Sequence, residues 1–377
     1  EQNHQLARGA KRQCLIELVE YISQSKQWCS EEVMPYVFEM LSRNLFRALP
    51  PPMYDDFDPE EDEPNFDPSW PHMQFVYEFF NRVIMTTDVT LIRKHMDKGF
   101  VLHMIDLFTS DDPREREYLK MILHRIYGRC MNLRCFIRKG IHNVLLPVIY
   151  QNFRHNGISE LLEILGSIIN GFATPLKKEH IHFFHQVLIP LHKAPAVSQF
   201  HQQLAYCVTQ FIQKDLSLSG AALSGILKFW PVTPYQKEIL FLNELEEVIE
   251  LTATPQIEIV VEPLFRRIAA AISSTHFQVA ERALFLWNND VIATFTSDHR
   301  DQILPIIFPA LQQNYANHWN TTVSSLTLNI IRIFKEMDKE LYEDISKKYK
   351  SQKGNTENKA DQRAEKWKKL REQHVTA

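Results

Sequence analysis

Apolar residues recur every three or four positions through most of this 377-residue chain. In residues 12–29, Leu15, Leu18, Val19 and Ile22 fall at i, i+3, i+4 and i+7, one face of an amphipathic helix. Residues 31–49 continue in the same style, with Pro35 near the helix start, where its missing N–H costs nothing. From residue 72 to about 345 the pattern predicts helix after helix. The clearest unit begins near Pro263. Ser273, Ser274 and Thr275 supply its turn and an N-cap, and Phe277, Ala280, Leu284 and Trp287 form one stripe of its second helix. The small residues Ala280 and Ala283 let neighbouring helices approach closely.

Prolines mark a repeat. A proline preceded by apolar residues is expected to open a helix at Pro147, Pro190, Pro263 and Pro305, with gaps of 43, 73 and 42 residues. Pro231 lies inside the long gap, in a poorer context. Paired helices with a period near 40 are the signature of an α-solenoid of HEAT type. Stacked helix pairs give long binding faces and no obvious catalytic pocket.

Two stretches break the pattern. Residues 50–71 hold seven prolines, and residues 55–67 hold eight acids and no bases. The prolines forbid a continuous helix, so an extended acidic loop is expected, either a solvated insertion or a partner contact. The tail 347–377 carries ten bases against four acids and reads as a solvated helix or disorder. The expected organisation is therefore a solenoid over 1–346 followed by that tail.

Composition narrows the function. Net charge is −4, which argues against bulk nucleic-acid affinity, though a local basic groove is compatible with it. Only 10 residues are glycine, well below the usual ~7%, so phosphate-cradling loops are scarce. The five cysteines (Cys14, Cys29, Cys130, Cys135 and Cys207) include no CxxC, and no zinc site is expected. Scattered thiols fit a reducing compartment, cytoplasmic or nuclear. No signal-peptide pattern is read, and no apolar run reaches the ~18 residues of a membrane span. Nucleotide-binding, metalloprotease and hydrolase motifs are absent. His180, His182 and His185 lack the spacing of a metal site. No catalytic residue, metal or cofactor is expected.

One constellation stands out. Residues 114–139 are rich in Arg and Lys, with His124, against two Glu. On a helix, Lys120, His124, Tyr127 and Met131 lie near one line, with Arg125 and Arg129 beside it. The next helix places Ile164 and Ile168 four apart beside Glu163, and Lys177 and His180 open the one after. Spacing alone leaves two readings open. These residues form a groove with an apolar floor and cationic wall, or the isoleucines are ordinary core and the bases a solvated face.

Here the chain resembles a known family. LHRIYGR, FIRK, ELLEILGSIINGFA, LAYCV, LKFWP, FLNELEEVIE, SSTHFQVAERALFLWNN and the upstream EDEPNFDPSWPHMQFVYEFF resemble the B′ (B-prime) regulatory subunits of protein phosphatase type 2A, over roughly residues 12–350. The resemblance implies an all-α, HEAT-like α-solenoid superhelix of about eight repeats. It implies a non-catalytic, substrate-selecting subunit that docks on a scaffold (A) subunit and a catalytic (C) subunit. It also implies a pocket for client proteins carrying LxxIxE motifs, strengthened by phosphorylated or acidic residues. Matched word by word, the pocket positions are His124, Arg125, Tyr127, Arg134, Ile164, Ile168, Lys177 and His180, with Glu163 on the same surface. Ile164, Ile168 and Tyr127 would receive aliphatic side chains, and His124 and Arg125 would hold the glutamate. Arg134, Lys177 and His180 would favour an added phosphate, and Glu163 would accept peptide N–H groups. Met121, Asn132, Cys135 and Thr174 depart from the family's usual words, and Lys178 adds a positive charge; none removes a charged pocket residue. The alternative is a scaffolding or transport α-solenoid reading other peptide signals, which would want an acidic inner face.

Overall fold

The computed structural model describes residues 2–24, 28–49, 65–352, 363 and 366–367. Helices make up the described chain, and no strand occurs among the described residues. The chain divides into two units, Glu1–Asp215 and Leu216–Ala377. The first holds α1 (Gln2–Gln24), α2 (Met34–Leu45), α3 (Trp70–Thr86), α4 (Val89–His95), α5 (Lys98–Asp106), α6 (Pro113–Arg129), α7 (Arg134–Tyr150), α8 (Ile158–Asn170), α9 (Lys178–Phe183), α10 (Ile189–Leu191) and α11 (His201–Lys214). The second holds α12 (Ser219–Lys228), α13 (Tyr235–Glu250), α14 (Thr254–Ile272), α15 (Phe277–Phe285), α16 (Asp290–Asp298), α17 (Arg300–Asn317) and α18 (Thr321–Met337). A further helix runs over 339–352.

Each unit is a stack in which a helix packs on its counterpart one repeat later. In the first unit α3 packs on α6, α6 on α8 and α8 on α11. In the second, α14 packs on α17 and α15 on α18. This all-α stacking is the solenoid that the periodicity predicts. Side-chain bonds carry the same period: Arg116 binds Glu160, Lys120 binds Glu163 and His124 binds Ser167, each about 43 residues on. The cores hold the apolar stripes. Tyr77, Phe80, Phe108, Phe184 and Phe211 are fully buried in the first unit, and Phe241, Phe265, Phe308 and Phe334 in the second.

Capping starts many of these helices. Asp88, Asp97 and Asp112 accept backbone N–H bonds at the starts of α4, α5 and α6; Asn289 and Asn320 do so for α16 and α18. Each satisfies N–H groups that have no partner inside the helix. The repeat prolines behave differently from the expectation. Pro147, Pro263 and Pro305 lie inside α7, α14 and α17, and Pro190 lies in α10, directly after a π-helical turn at Phe184–Leu188. The apolar residues before each proline already form helix. A proline there removes one backbone bond without ending a helix that packing holds on both sides. The turn of the clearest unit falls as expected, but the N-cap of α15 is His276, which makes no side-chain cap bond; Ser274 serves the turn instead, its Oγ accepting the His276 N–H at 3.2 Å.

The acidic segment 50–64 and most of the tail beyond 352 lie outside the described residues. The described end of the acidic stretch is fixed. Asp67 pairs with Arg47 at 2.7 Å, and its backbone N–H donates to Asp112 at 2.9 Å.

Candidate functional site

The site lies in the first unit, where α6, α7, α8 and the approach to α9 meet. Helix α6 starts at the Asp112 cap and Pro113, and it ends at Cys130. A short 3-10 turn at Met131–Leu133 reverses the chain into α7, so Arg134 and Arg138 return past the end of α6. Helix α8 lies alongside α6. Gly166 permits close packing on its other side, because a Cβ there would meet the Tyr206 ring at 2.7 Å. Gly171 ends α8, and the following loop leads to Lys177, the N-cap of α9.

These elements enclose a cavity of about 420 Å³. Its cationic wall is Arg134, Arg138 and Lys177, and its imidazoles are His124 and His180. Ile168, Phe172 and Tyr127 supply apolar surface. No Asp or Glu is in the lining.

The charged groups are held in distinct ways. Arg134 donates to the carbonyls of Tyr127 (2.9 Å) and Gly128 (3.0 Å), satisfying the end of α6. Its guanidinium also stands 5.2 Å from the Tyr127 ring centre. Arg138 donates to Tyr127 Oη at 3.0 Å and to Glu179 Oε1 at 3.2 Å. His124 Nε2 and Ser167 Oγ are hydrogen-bonded at 2.8 Å. His180 stacks on Phe172 with ring centres 3.8 Å apart and planes 3° apart. Burial, with Arg138 nearby, holds its pKa below the usual imidazole range, so the ring is neutral near pH 7. Neither His180 nitrogen has a hydrogen-bond partner. Lys177 is exposed at the rim.

Six of the nine residues read from the sequence line the cavity: His124, Tyr127, Arg134, Ile168, Lys177 and His180. The other three are placed differently. Ile164 is buried beneath the surface of α8. Glu163 is exposed and holds Lys120 at 2.5 Å. Partial burial works against the Lys120 ammonium, but its bonds to Glu117 and Glu163 outweigh that and raise its pKa. Arg125 points toward α3, where it donates to Asn81. Sequence reading missed Arg138 and Phe172. Arg138 stands four residues after Arg134, which was signal enough to place both on one helical face.

The geometry suits an extended peptide that places an aliphatic side chain on Ile168 and Phe172 and an acid against the cationic wall. Guanidinium forks match carboxylate and phosphate oxygens in geometry and charge. Among the described residues no group of three or more metal-ligating side chains occurs, and no helix is long and apolar enough to cross a membrane.

The comparisons with known proteins agree with this reading of the words in the chain. A sequence model of the family described as "Protein phosphatase 2A regulatory B subunit (B56 family)" matches residues 1–374. The chain belongs to that family. The rabbit (Oryctolagus cuniculus) protein named serine/threonine-protein phosphatase 2A 56 kDa regulatory subunit delta isoform is 49% identical over 367 residues, covering 96% of this chain and 63% of that protein. The human (Homo sapiens) delta isoform is also 49% identical over 367 residues, covering 96% and 61%. An Arabidopsis thaliana 57 kDa regulatory subunit, the B' beta isoform, is 49% identical over 369 residues, covering 96% and 74%. The chain thus spans less than two thirds of the length of the two delta isoforms.

Proposed function

We propose that this chain is the client-selecting, non-catalytic regulatory subunit of a type 2A protein serine/threonine phosphatase. It docks on the scaffold and catalytic subunits and holds clients through LxxIxE motifs. Family membership supports the regulatory role. The observation that carries motif reading is the cavity itself, with apolar surface from Ile168 and Phe172 beside a wall of Arg134, Arg138 and Lys177.

In this reading the aliphatic residues of the motif cover Ile168, Phe172 and the Tyr127 ring, with Ile164 as the support beneath. The motif glutamate meets the His124 and Lys177 rim. Arg134, Arg138 and His180 favour an added acid or phosphate. Glu163, on the exposed face of α8, accepts peptide N–H groups beside the cavity, and Arg125, turned to Asn81 on α3, takes no part. Tethering then raises the client phosphosite's effective concentration near the catalytic subunit. Motif affinity is expected in the micromolar range, because an extended peptide loses entropy on ordering.

The test uses a reconstituted scaffold–catalytic–regulatory assembly and two phosphorylated substrates, one bearing an LxxIxE motif and one lacking it. Free motif peptide added in excess should slow dephosphorylation of the first alone. Equal effects on both substrates, or none on either, would remove motif reading. Failure of the chain to assemble with the scaffold and catalytic subunits would remove the regulatory role.

A further inference from the structure

We propose that Glu179 is a built-in competitor for the acidic group that the cavity takes from its ligand. The inference rests on the reading of the cavity as a peptide-motif site. It assigns a role to a residue that is not in the cavity lining.

Arg138 makes two side-chain bonds. Nη1 donates to Tyr127 Oη at 3.0 Å, and Nη2 donates to Glu179 Oε1 at 3.2 Å. Tyr127 and Arg138 both line the cavity, whereas Glu179, in the first turn of α9, reaches Arg138 from beside the lining. The same Glu179 oxygen stands 3.4 Å from His180 Nε2. One carboxylate oxygen therefore lies beside two groups of the binding wall, in the place an incoming acid would take.

The pair is built to exchange. The Glu179 side chain is 52% exposed, so solvent receives it without a burial cost when it swings away. Its bond to Arg138 is longer than the 2.7 Å bonds that Arg47 makes to Glu115 and Asp67. A half-exposed pair of this kind is weak. Arg138 stays aimed without it, because Tyr127 holds the other guanidinium nitrogen. A peptide with a neutral side chain at this corner leaves Glu179 where it is. A carboxylate or phosphate displaces it and recovers the bond to Arg138. Glu179 thereby lowers affinity for acidic ligands at this corner and leaves neutral ones alone, which sets how much a phosphorylation adds to binding.

The test is a titration of the full chain with a set of LxxIxE peptides. The motif glutamate is kept, and alanine, glutamate or phosphoserine is placed in turn at each variable position. Glu179→Gln keeps the side-chain shape and an acceptor for Arg138 but removes the charge. At the position that meets the corner, it should tighten the glutamate peptide by about two- to fivefold and the phosphoserine peptide by at least as much, with the alanine peptide unchanged. Glu20→Gln, an exposed acid on α1, makes the same change in net charge and should move none of them. In an Arg138→Ala background the gain from Glu179→Gln should vanish, since the pair is the source of the competition. No gain at any position, or an equal gain for the alanine peptide, would overturn the inference and leave the motif site standing. Absence of binding by the unaltered chain to every peptide would overturn both.

Discussion

Arg47 and Arg138 belong to one unit and both meet a tyrosine and a glutamate, yet they have different surroundings. Arg47 is enclosed by acids: Glu115 takes both terminal nitrogens at 2.7 and 3.0 Å, and Asp67 takes one at 2.7 Å. Glu115 is fully buried and also accepts from Tyr77 and Ser110, each at 2.6 Å. Burial works against the Arg47 charge, but Glu115 and Asp67 outweigh it and raise its pKa. Arg138 has one half-exposed acid and one hydroxyl, beside an open cavity. Residue type does not separate the two. The number and burial of counterions does: a cation whose acids are all internal is structure, and one left short of them is available to a ligand.

The largest expected effect breaks the first half of that comparison. Arg47→Ala leaves Glu115 buried without its cation and should destabilise the first unit by about 3–5 kcal/mol. Chemical denaturation followed by circular dichroism would show it, and peptide affinity per folded molecule should not change. Replacing Arg47 and Glu115 together by apolar residues of similar volume should recover much of the loss. The second effect breaks the other half. Arg138→Ala should weaken binding of an acidic LxxIxE peptide by about 1.5–3 kcal/mol, the range for hydrogen bonds to charged groups. It should shift unfolding by less than about 1 kcal/mol, because its acid partner is exposed.

A smaller effect follows pH. His155 sits beside Arg116, and its Nδ1 accepts the Gly157 N–H at 3.1 Å. Burial and Arg116 depress its pKa from 6.5 to about 4. The folded state therefore keeps the ring neutral where the unfolded chain protonates it. Stability is full above pH 6.5, falls as pH drops toward 4 and levels off below that. The expected loss over that window is about 3 kcal/mol, and His155→Phe should flatten it in denaturation curves taken at several pH values. The smallest effect concerns Met121, which stands on α6 outside the cavity lining. Met121→Ser should change peptide affinity by less than about 0.5 kcal/mol, the scale of surface substitutions.

Much of this was legible in residues alone. The spacing of Pro147 and Pro190 gave the period that the Lys120–Glu163 and His124–Ser167 bonds repeat in space. Periodicity carries that information because every repeat buries the same face. Where Pro147 sits in its helix was not legible, since packing on both sides overrides a local breaker. His124 and Ile168 converged as read, but Arg125 did not join them. A long side chain on a helix can turn to either neighbour, and buried Asn81 on α3 drew it away. The four-residue spacing from Arg134 marks Arg138 as sharing its face, but nothing local says that its acid lies 41 residues on at Glu179. The Arg47 cluster was invisible for the same reason, with Glu115 68 residues away.

In the proposed function the cavity between α6, α8 and α9 reads an acidic linear motif. The most direct measurement is calorimetric titration of the full chain with an LxxIxE peptide, beside its Glu→Ala version and beside the Lys177→Glu chain. Micromolar binding that is lost in both altered pairs, with unfolding of the chain unchanged, is the predicted result. Binding that is indifferent to the motif glutamate and to Lys177, or no binding by the folded chain, would contradict it.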